Sequence, residues 1–143
     1  METVSTASGI TMTTTAETAA VSSLPVGYNQ PSGAGFGLAV HGYVNVTAGA
    51  GTTSVSVAVR KGVGTTGQVL ASSDPDTLAA GNSQSIAYEF VDTTPAVTPS
   101  GTATGAGVAG TNQYTVTVQA VGATGNGTIN HATIGVRPIQ IGW

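Results

Sequence analysis

Charged residues are scarce in this chain. Of its 143 residues, three are lysine or arginine and six are aspartate or glutamate, which gives a net charge of -3. An average soluble domain is about one-quarter charged, so the 6% found here is a strong departure. Arg60, Lys61 and Arg137 cannot neutralise a row of phosphates, which excludes nucleic-acid binding through a basic patch. The scarcity also leaves few acids and bases for catalysis, and we expect no enzyme activity.

Cysteine is absent, so the chain has no disulfide, no thiolate nucleophile and no cysteine-based metal site. Residues 1–9 (METVSTASG) contain no lysine or arginine, and no apolar stretch follows them as in a secretory signal peptide. No run approaches the roughly 18 apolar residues of a membrane-spanning helix. We therefore expect a protein that is made in the cytoplasm of its host and does not contact a membrane.

Candidate chemical sites are few. The two histidines, His41 and His131, have no carboxylate close by in sequence, and we interpret them as polar residues on strand faces. The segment 74–76 (Asp-Pro-Asp) with Asn82 offers oxygen ligands for calcium, but its spacing fits no EF-hand and is typical of a turn. The sequence predicts no catalytic residue, no cofactor and no metal ligand.

Apolar residues alternate with polar ones along several segments, which indicates β-strands. Between about 35 and 47, one face carries apolar side chains and the other carries His41, Tyr43, Asn45 and Thr47. Gly42 interrupts the apolar face, which predicts a bulge or a close backbone approach. The apolar positions of the clearest segments are Phe36, Leu38, Val40, Val44 and Val46, then Val55, Val57 and Val59, then Ile86, Tyr88 and Phe90, then Tyr114, Val116 and Val118.

The arrangement of these segments predicts an all-β fold. A Gly/Ala-rich connection joins the segments around 35–47 and 54–60, and we interpret the two as a hairpin. Weaker strand patterns lie at 10–15, 18–24, 67–73 and 127–137, giving eight strands in total. We predict an eight-stranded antiparallel sandwich, with a jelly roll favoured and an immunoglobulin-like sandwich second.

The domain organisation follows from the same patterns. Residues 1–9 are predicted to form a flexible N-terminal arm, and 10–143 a single β-sandwich domain. Residues 93–111 (TTPAVTPSGTATGAGVAGT) are low in complexity and are predicted to form a long loop between two strands. The arm and the loop are both candidate contact elements.

Three stretches resemble the strands of small jelly-roll proteins of virions. They are 38–60 (LAVHGYVNVTAGAGTTSVSVAVR), 86–92 (IAYEFVD) and 110–129, in which a Tyr-x-Val-x-Val pattern at Tyr114 precedes a Gly-rich turn. The chain is similar in this respect to bacteriophage capsid decoration proteins and to trimeric TNF-like coat modules. The resemblance implies a homotrimer on the exterior of a capsid, bound to a major capsid protein and stabilising the assembled shell of a tailed phage.

The low charge fits such a role, because uncharged surface is buried in an assembly without stranding charges away from water. Trp143 is predicted either to cover the end of its own sandwich or to anchor an interface, with Ile139 and Ile141, as tryptophan often does. The residues predicted to form interfaces are Met1, Thr3, Val4, Thr6, Ile139, Ile141 and Trp143.

Two other functions remain open from the sequence. A carbohydrate-binding or adhesin-type module presents aromatic side chains, but Tyr28, Tyr43, Tyr88, Tyr114 and Trp143 are dispersed along the chain. A filament or surface-layer subunit donates a strand to its neighbour, and the absence of an export signal disfavours it.

Overall fold

The computed structural model describes residues 2–14, 16–27, 35–51, 53–95 and 111–142. All regular secondary structure in these ranges is β-strand, which confirms the predicted all-β class. Within them, no helix is long and apolar enough to cross a membrane. The strands are β1 (Thr3–Met12), β2 (Thr18–Ser22), β3 (Val26–Gly27), β4 (Gly35–Thr47), β5 (Thr53–Lys61), β6 (Val69–Ser72), β7 (Asp76–Leu78), β8 (Ser83–Asp92), β9 (Thr111–Asn112), β10 (Tyr114–Val121) and β11 (Gly127–Gly142).

The described part of the chain thus has eleven strands, not the predicted eight, and three of them contain only two or three residues. The first sheet has the order β1-β11-β4-β8. The second has the order β2-β10-β5-β6, and β7 continues the line of β6 beside β5. A small ribbon pairs β3 with β9, and every strand pairing in the described ranges is antiparallel.

The two sheets share one apolar core. Val40, Val44 and Val46 of the first sheet belong to the same buried cluster as Val57 and Val118 of the second. The predicted alternation is confirmed in β4 from His41 onward and throughout β5, where the intervening side chains are only partly buried or exposed, whereas Ala39 of β4 is buried as well. Because each strand buries every second side chain, valine and threonine in alternation suit a strand with one apolar and one hydrated face.

The predicted hairpin between 35–47 and 54–60 is wrong. β4 belongs to the first sheet and β5 to the second, so the connection between them crosses from one sheet to the other. Their apolar faces meet in the core instead of lying side by side. β4 pairs with β8 and β11, and β5 pairs with β10.

The predicted N-terminal arm is also corrected. Residues 3–9 lie in β1, which pairs with β11 from Thr3 to Met12. Met12 is fully buried and Ile10 packs against the core, so apolar burial and backbone pairing hold the strand in place. The predicted loop 93–111 falls largely outside the described residues, but Thr111 at its end pairs with Gly27 in the β3-β9 ribbon.

Gly42 confirms the predicted close backbone approach. A Cβ atom at this position would lie 2.1 Å from the carbonyl oxygen of Thr133. Here the pairing of β4 with β11 is interrupted between Ala132 and Gly135. The Tyr88 hydroxyl passes over Gly42 and donates a 2.6 Å hydrogen bond to the Thr133 carbonyl. The amide of Tyr43 donates to the Thr133 hydroxyl, so side chains replace the missing backbone partners.

Candidate interaction surfaces

The structure brings the N-terminal and C-terminal interface candidates to the same end of the first sheet. Thr3, Val4 and Thr6 lie in β1, and Ile139 lies in β11, three residues beyond the partner of Thr3, Val136. The Thr3 hydroxyl is enclosed and has no hydrogen-bond partner among the described residues. Met1, Trp143 and the side chain of Ile141 lie outside the described residues.

The outer face of the first sheet is broad, and its charged residues Glu2, Glu89 and Arg137 lie at one end of it. Val4 lies on it with 59% of its surface exposed, and Thr6 is exposed beside it. From β1 across to β8 its paired rows are Val4, Gly135, His41 and Glu89, then Ser8, His131, Asn45 and Ser85, then Thr11, Thr128, Thr47 and Ser83, and the pairs Thr6–Thr133 and Tyr43–Ala87 lie between the first two rows.

Uncharged side chains hydrogen-bond to one another across one half of this outer face. Asn45 Nδ2 donates to the hydroxyl of Ser85 at 2.9 Å, and the hydroxyls of Thr47 and Ser83 lie 2.6 Å apart. Asn130 Nδ2 donates to both Asn45 Oδ1 and the Thr47 hydroxyl, at 2.8 Å and 2.7 Å. The face is therefore hydrated and ordered by amides and hydroxyls, without ion pairs in this region.

Both histidines lie on this outer face, on the neighbouring strands β4 and β11. His41 Nε2 is in hydrogen-bond contact with Glu2 Oε1, and this contact passes over the middle strand at Gly135. The His131 ring lies 5.6 Å from the ring of Tyr43, which is 40% exposed. In the described part of the chain no three His, Cys, Asp or Glu residues come close enough to hold a metal ion.

Two strand edges of the first sheet have no pairing partner within the described ranges. One is the outer edge of β8, which pairs with β4 alone. The other is the edge of β11 beyond Val136, because β1 ends at Thr3 while β11 continues to Gly142. In general, a strand edge without a neighbouring strand can pair with a strand of another chain.

A cleft of mixed polarity, with Ser72, Ser73 and Glu89 among its lining residues, opens between the edge strands β6 and β8. Its volume is about 230 Å³, and it lies between the two sheets at one side of the molecule. Val57, Val59 and Ala71 line it from the second sheet, and Tyr88 and Phe90 line it from the first. β6 has only four residues, so it covers this side of the core incompletely.

A polar cluster joins the two sheets inside the molecule. Asp92 of β8 is 2% exposed, and its Oδ2 accepts hydrogen bonds from the Tyr114 hydroxyl at 2.7 Å and from Lys61 Nζ at 3.2 Å. Its Oδ1 accepts a bond from the amide of Thr94 at 3.0 Å. Burial by itself raises the pKa of the Asp92 carboxyl, but the bonds from Tyr114, Thr94 and Lys61 outweigh it and hold the pKa below its ordinary value.

An ion pair lies on the outer face of the second sheet. Arg60 donates to both carboxylate oxygens of Glu17, from Nε at 2.9 Å and from Nη2 at 2.6 Å, and its Nη1 donates to the Gly67 carbonyl. The Thr117 hydroxyl also donates to Glu17. The bonds from Arg60 lower the pKa of Glu17, although burial opposes them and Thr117 adds to them. Two of the three cations, Arg60 and Lys61, are therefore engaged in ion pairs within the fold.

The Asp-Pro-Asp segment 74–76 leads from β6 into β7, whose first residue is Asp76, at the edge of the second sheet. Ser73 still bonds to β5, since its amide donates to the Val57 carbonyl and its hydroxyl accepts from the Val57 amide. Asp76 accepts a hydrogen bond from Gln84. A proline at this position separates the two short edge strands, and proline is a common device against pairing with another chain.

Comparisons with known proteins concern the fold. No protein-family model matches the chain, and no curated protein sequence matches it. Among solved structures it is similar to a chain of the T13 viral particle of infectious bursal disease virus, with 10% identity, a TM-score of 0.54, and coverage of 97% of this chain and 31% of that one. It is also similar to a chain of the Gt strain of the same virus, with 10% identity and a TM-score of 0.54. That match covers 96% of this chain and 33% of the viral chain. The chain thus spans about a third of the length of those viral chains.

Proposed function

We propose that this chain is a structural virion protein with a jelly-roll fold, which binds the assembled shell of a tailed phage as a decoration or cementing protein. It acts from the capsid exterior as a homotrimer, with the major capsid protein as its partner. The observation that carries the proposal is the similarity of nearly the whole chain to one part of a viral-particle chain. The 143 residues match about a third of each of those viral chains.

The strand order supports a jelly roll. Among the eight strands of at least four residues, the first pairs with the last (β1 with β11) and the second with the seventh (β2 with β10). The third pairs with the sixth (β4 with β8) and the fourth with the fifth (β5 with β6). The four pairs follow one another like the rungs of a single long hairpin. Successive pairs alternate between the two facing sheets, as a jelly roll requires.

The charge distribution supports a role in an assembly. Arg60, Lys61, Glu17 and Asp92 pair with one another inside the fold or on the second sheet. On the outer face of the first sheet the charged residues Glu2, Glu89 and Arg137 lie at one end, and in the other half hydroxyls and amides bond to one another. That uncharged half can be buried against a partner without leaving a charge unpaired, which costs several kcal/mol.

The interface candidates support a shell contact on the outer face of the first sheet. Val4 and Thr6 lie there on the edge strand β1, and Val4 is among the most exposed apolar side chains of the described residues. A protein that binds the assembled shell and not its free subunits stabilises the shell by about 2.7 kcal/mol per site when its concentration is a hundredfold above Kd.

Cosedimentation with shells tests this proposal. Shells are assembled from the major capsid protein of the phage that the proposal assigns as the source of this chain, and wild-type protein is expected to cosediment with them and raise their melting temperature. Thr6→Lys places a charge on the proposed contact face and is expected to reduce binding at least tenfold. Gln119→Lys, on the outer face of the second sheet, is the matched control and is expected to bind like wild type. A wild-type protein that fails to bind these shells would overturn the proposal.

A second function is supported by the ring pair of Tyr43 and His131. These rings lie on a face lined by Asn45, Ser85 and Thr47, and an exposed aromatic ring beside neutral hydrogen-bonding groups suits a carbohydrate-binding or adhesin module. A glycan array tests this alternative. The matched control is Val121→Ala, which removes an exposed apolar side chain elsewhere. Glycan binding that is lost in Tyr43→Ala and kept in Val121→Ala would favour the carbohydrate-binding function over the shell contact.

A further inference from the structure

The outer edge of β8 is regular and unprotected. All ten residues of β8 pair with β4 in consecutive register, and within the described ranges no strand pairs with its other edge. The strand has no bulge, proline, lysine or arginine, which are the usual protections of an exposed edge. The side chains of Ser83, Ser85 and Ala87 on its outer face are small, so another strand can approach the backbone closely.

The adjacent edge of the second sheet has several of these protections. β6 and β7 contain only four and three residues, and Pro75 lies between them. The pairing of β5 with β6 is irregular between Val59 and Arg60, and the carboxylate of Asp74 is exposed at this edge. The two edges lie on opposite sides of one cleft. Because one edge is blocked and the other is not, we expect an added strand to extend the first sheet alone.

The cleft between β6 and β8 follows the open edge. Side chains from both faces of β8 line it, Ala87 and Glu89 from the outer face and Tyr88 and Phe90 from the inner face. A strand added to β8 directs every second side chain toward the inner face, because side chains alternate along a strand. Apolar residues at those positions would enter the space of about 230 Å³ beside Tyr88 and Phe90.

Glu89 sets the charge of the strand that fits this edge. It is exposed and has no hydrogen-bond or ion-pair partner among the described residues. His41 lies directly across from it on β4 but contacts Glu2 instead. A lysine or arginine opposite Glu89 on an added strand would form a cross-strand pair of opposite charges, which stabilises strand pairing.

This chain does not offer such a basic residue to a second copy of itself. Its three cations all lie in the described ranges, and Arg60 and Lys61 are engaged in ion pairs within the fold. Arg137 belongs to β11, whose backbone already pairs with β4 at this position, and Pro138 after it has no N–H group. The strand that fits the edge of β8 therefore comes from a different protein.

We propose that β8 binds, as an added antiparallel strand, an extended segment of another protein in which a lysine or arginine stands between two apolar residues. The basic residue lies opposite Glu89, and the two apolar residues lie opposite Tyr88 and Phe90 and face the cleft. A third apolar residue, two positions further along, lies opposite Ile86. The inference deepens the proposed coat function, on which it rests for assigning the segment to the major capsid protein. The chemistry of the segment follows from β8 alone.

Two synthetic peptides with blocked ends, SVKVTVS and SVEVTVS, test the contact in NMR titrations. Wild-type protein is expected to bind SVKVTVS about fivefold more tightly than SVEVTVS, because lysine pairs with Glu89 and glutamate opposes it. Glu89→Lys is expected to reverse this preference. Asp74→Lys makes the same change of charge at the adjacent edge and leaves Glu89 in place, so it is the matched control and is expected to keep the wild-type preference.

Hydrogen exchange shows whether a bound peptide pairs as a strand. β4 bonds to only every second amide of β8, so SVKVTVS is expected to slow exchange at the alternate amides that face the open edge. Binding that leaves these amides unprotected, or a peptide preference that Glu89→Lys does not change, would overturn the contact.

The peptide and shell experiments separate the two proposals. Wild-type protein that does not bind SVKVTVS overturns the strand contact, whether or not it cosediments with shells. Wild-type protein that binds this peptide along β8 but does not cosediment with shells supports the strand contact and overturns the coat function.

Discussion

The hydroxyl of Tyr114 donates a 2.7 Å hydrogen bond to Oδ2 of Asp92, and this bond joins the second sheet to the first inside the molecule. Both residues are buried, so water cannot replace the bond when it is lost. Tyr114→Phe is expected to lower the free energy of unfolding by about 1–3 kcal/mol. Urea denaturation measures this change. Tyr43→Phe, at an exposed tyrosine, is the control, and an equal loss in the two variants would contradict the role given to Asp92.

The lowered pKa of Asp92 predicts a loss of stability in acid. Because its pKa is lower in the folded than in the unfolded state, the unfolded chain binds the proton first, and stability falls as the pH drops below the ordinary carboxyl value of about 4. Glu17 has a lowered pKa as well and contributes in the same direction. The unfolding free energies of wild type, Asp92→Asn and Glu17→Gln are measured between pH 2 and pH 7. Each variant is expected to show a flatter pH dependence than wild type.

If the unfolding free energy of Asp92→Asn changes with pH as steeply as that of wild type, this account is contradicted. The asparagine still accepts a hydrogen bond from Tyr114, so the variant retains part of the cross-sheet contact while it removes the titration. Its lower stability at neutral pH does not affect the comparison, which concerns the slope alone.

Two glycines of the first sheet are expected to respond differently to the same substitution. A Cβ atom at Gly42 would lie 2.1 Å from the backbone oxygen of Thr133, which can move only if two strands separate. At Gly135 the nearest atoms are the side-chain ends of Glu2 and His41, both at 2.8 Å, and these can rotate away. Gly42→Ala is expected to cost about 3 kcal/mol or more, and Gly135→Ala less than about 1 kcal/mol. Thermal unfolding of the pair measures the difference, and similar costs would contradict it.

The faces of the strands were predictable because side-chain burial in a sheet has a strict period of two. The alternation at Val55, Val57 and Val59 therefore placed these residues in the core correctly. Which strands pair was not predictable, because β4 pairs with β8 and β11 far along the chain while the nearest strand in sequence, β5, lies in the other sheet. β1 was missed because its residues 3–9 are mostly small or hydroxyl-bearing, and only Ile10 and Met12 mark its burial.

The polar contacts of the site were less accessible from the sequence. Asp92 ends a strand pattern, and nothing near it in sequence indicates that Lys61 and Tyr114 meet it, since they are 31 and 22 residues away. Glu2 and His41 are 39 residues apart and meet only because β1 and β4 flank β11. Thr3, Val4 and Ile139 lie at one end of the first sheet, and their role as interface residues stays a prediction.

The bidentate pair of Arg60 and Glu17 predicts that arginine cannot be replaced by lysine at this position. Arg60 makes two bonds to Glu17 and one to the Gly67 carbonyl, and a lysine ammonium cannot reproduce this planar arrangement. Arg60→Lys is expected to lower the free energy of unfolding by about 1–2 kcal/mol. Arg137→Lys, at an exposed arginine of β11, is the matched control and is expected to change it by less than about 0.5 kcal/mol. Urea unfolding at low and high salt measures both variants. Because salt screens a nearly buried ion pair only little, the loss of unfolding free energy in Arg60→Lys is expected to persist at high salt. A cost that disappears in high salt would show that the pair acts as an exposed ion pair and does not tie Glu17 to the second sheet.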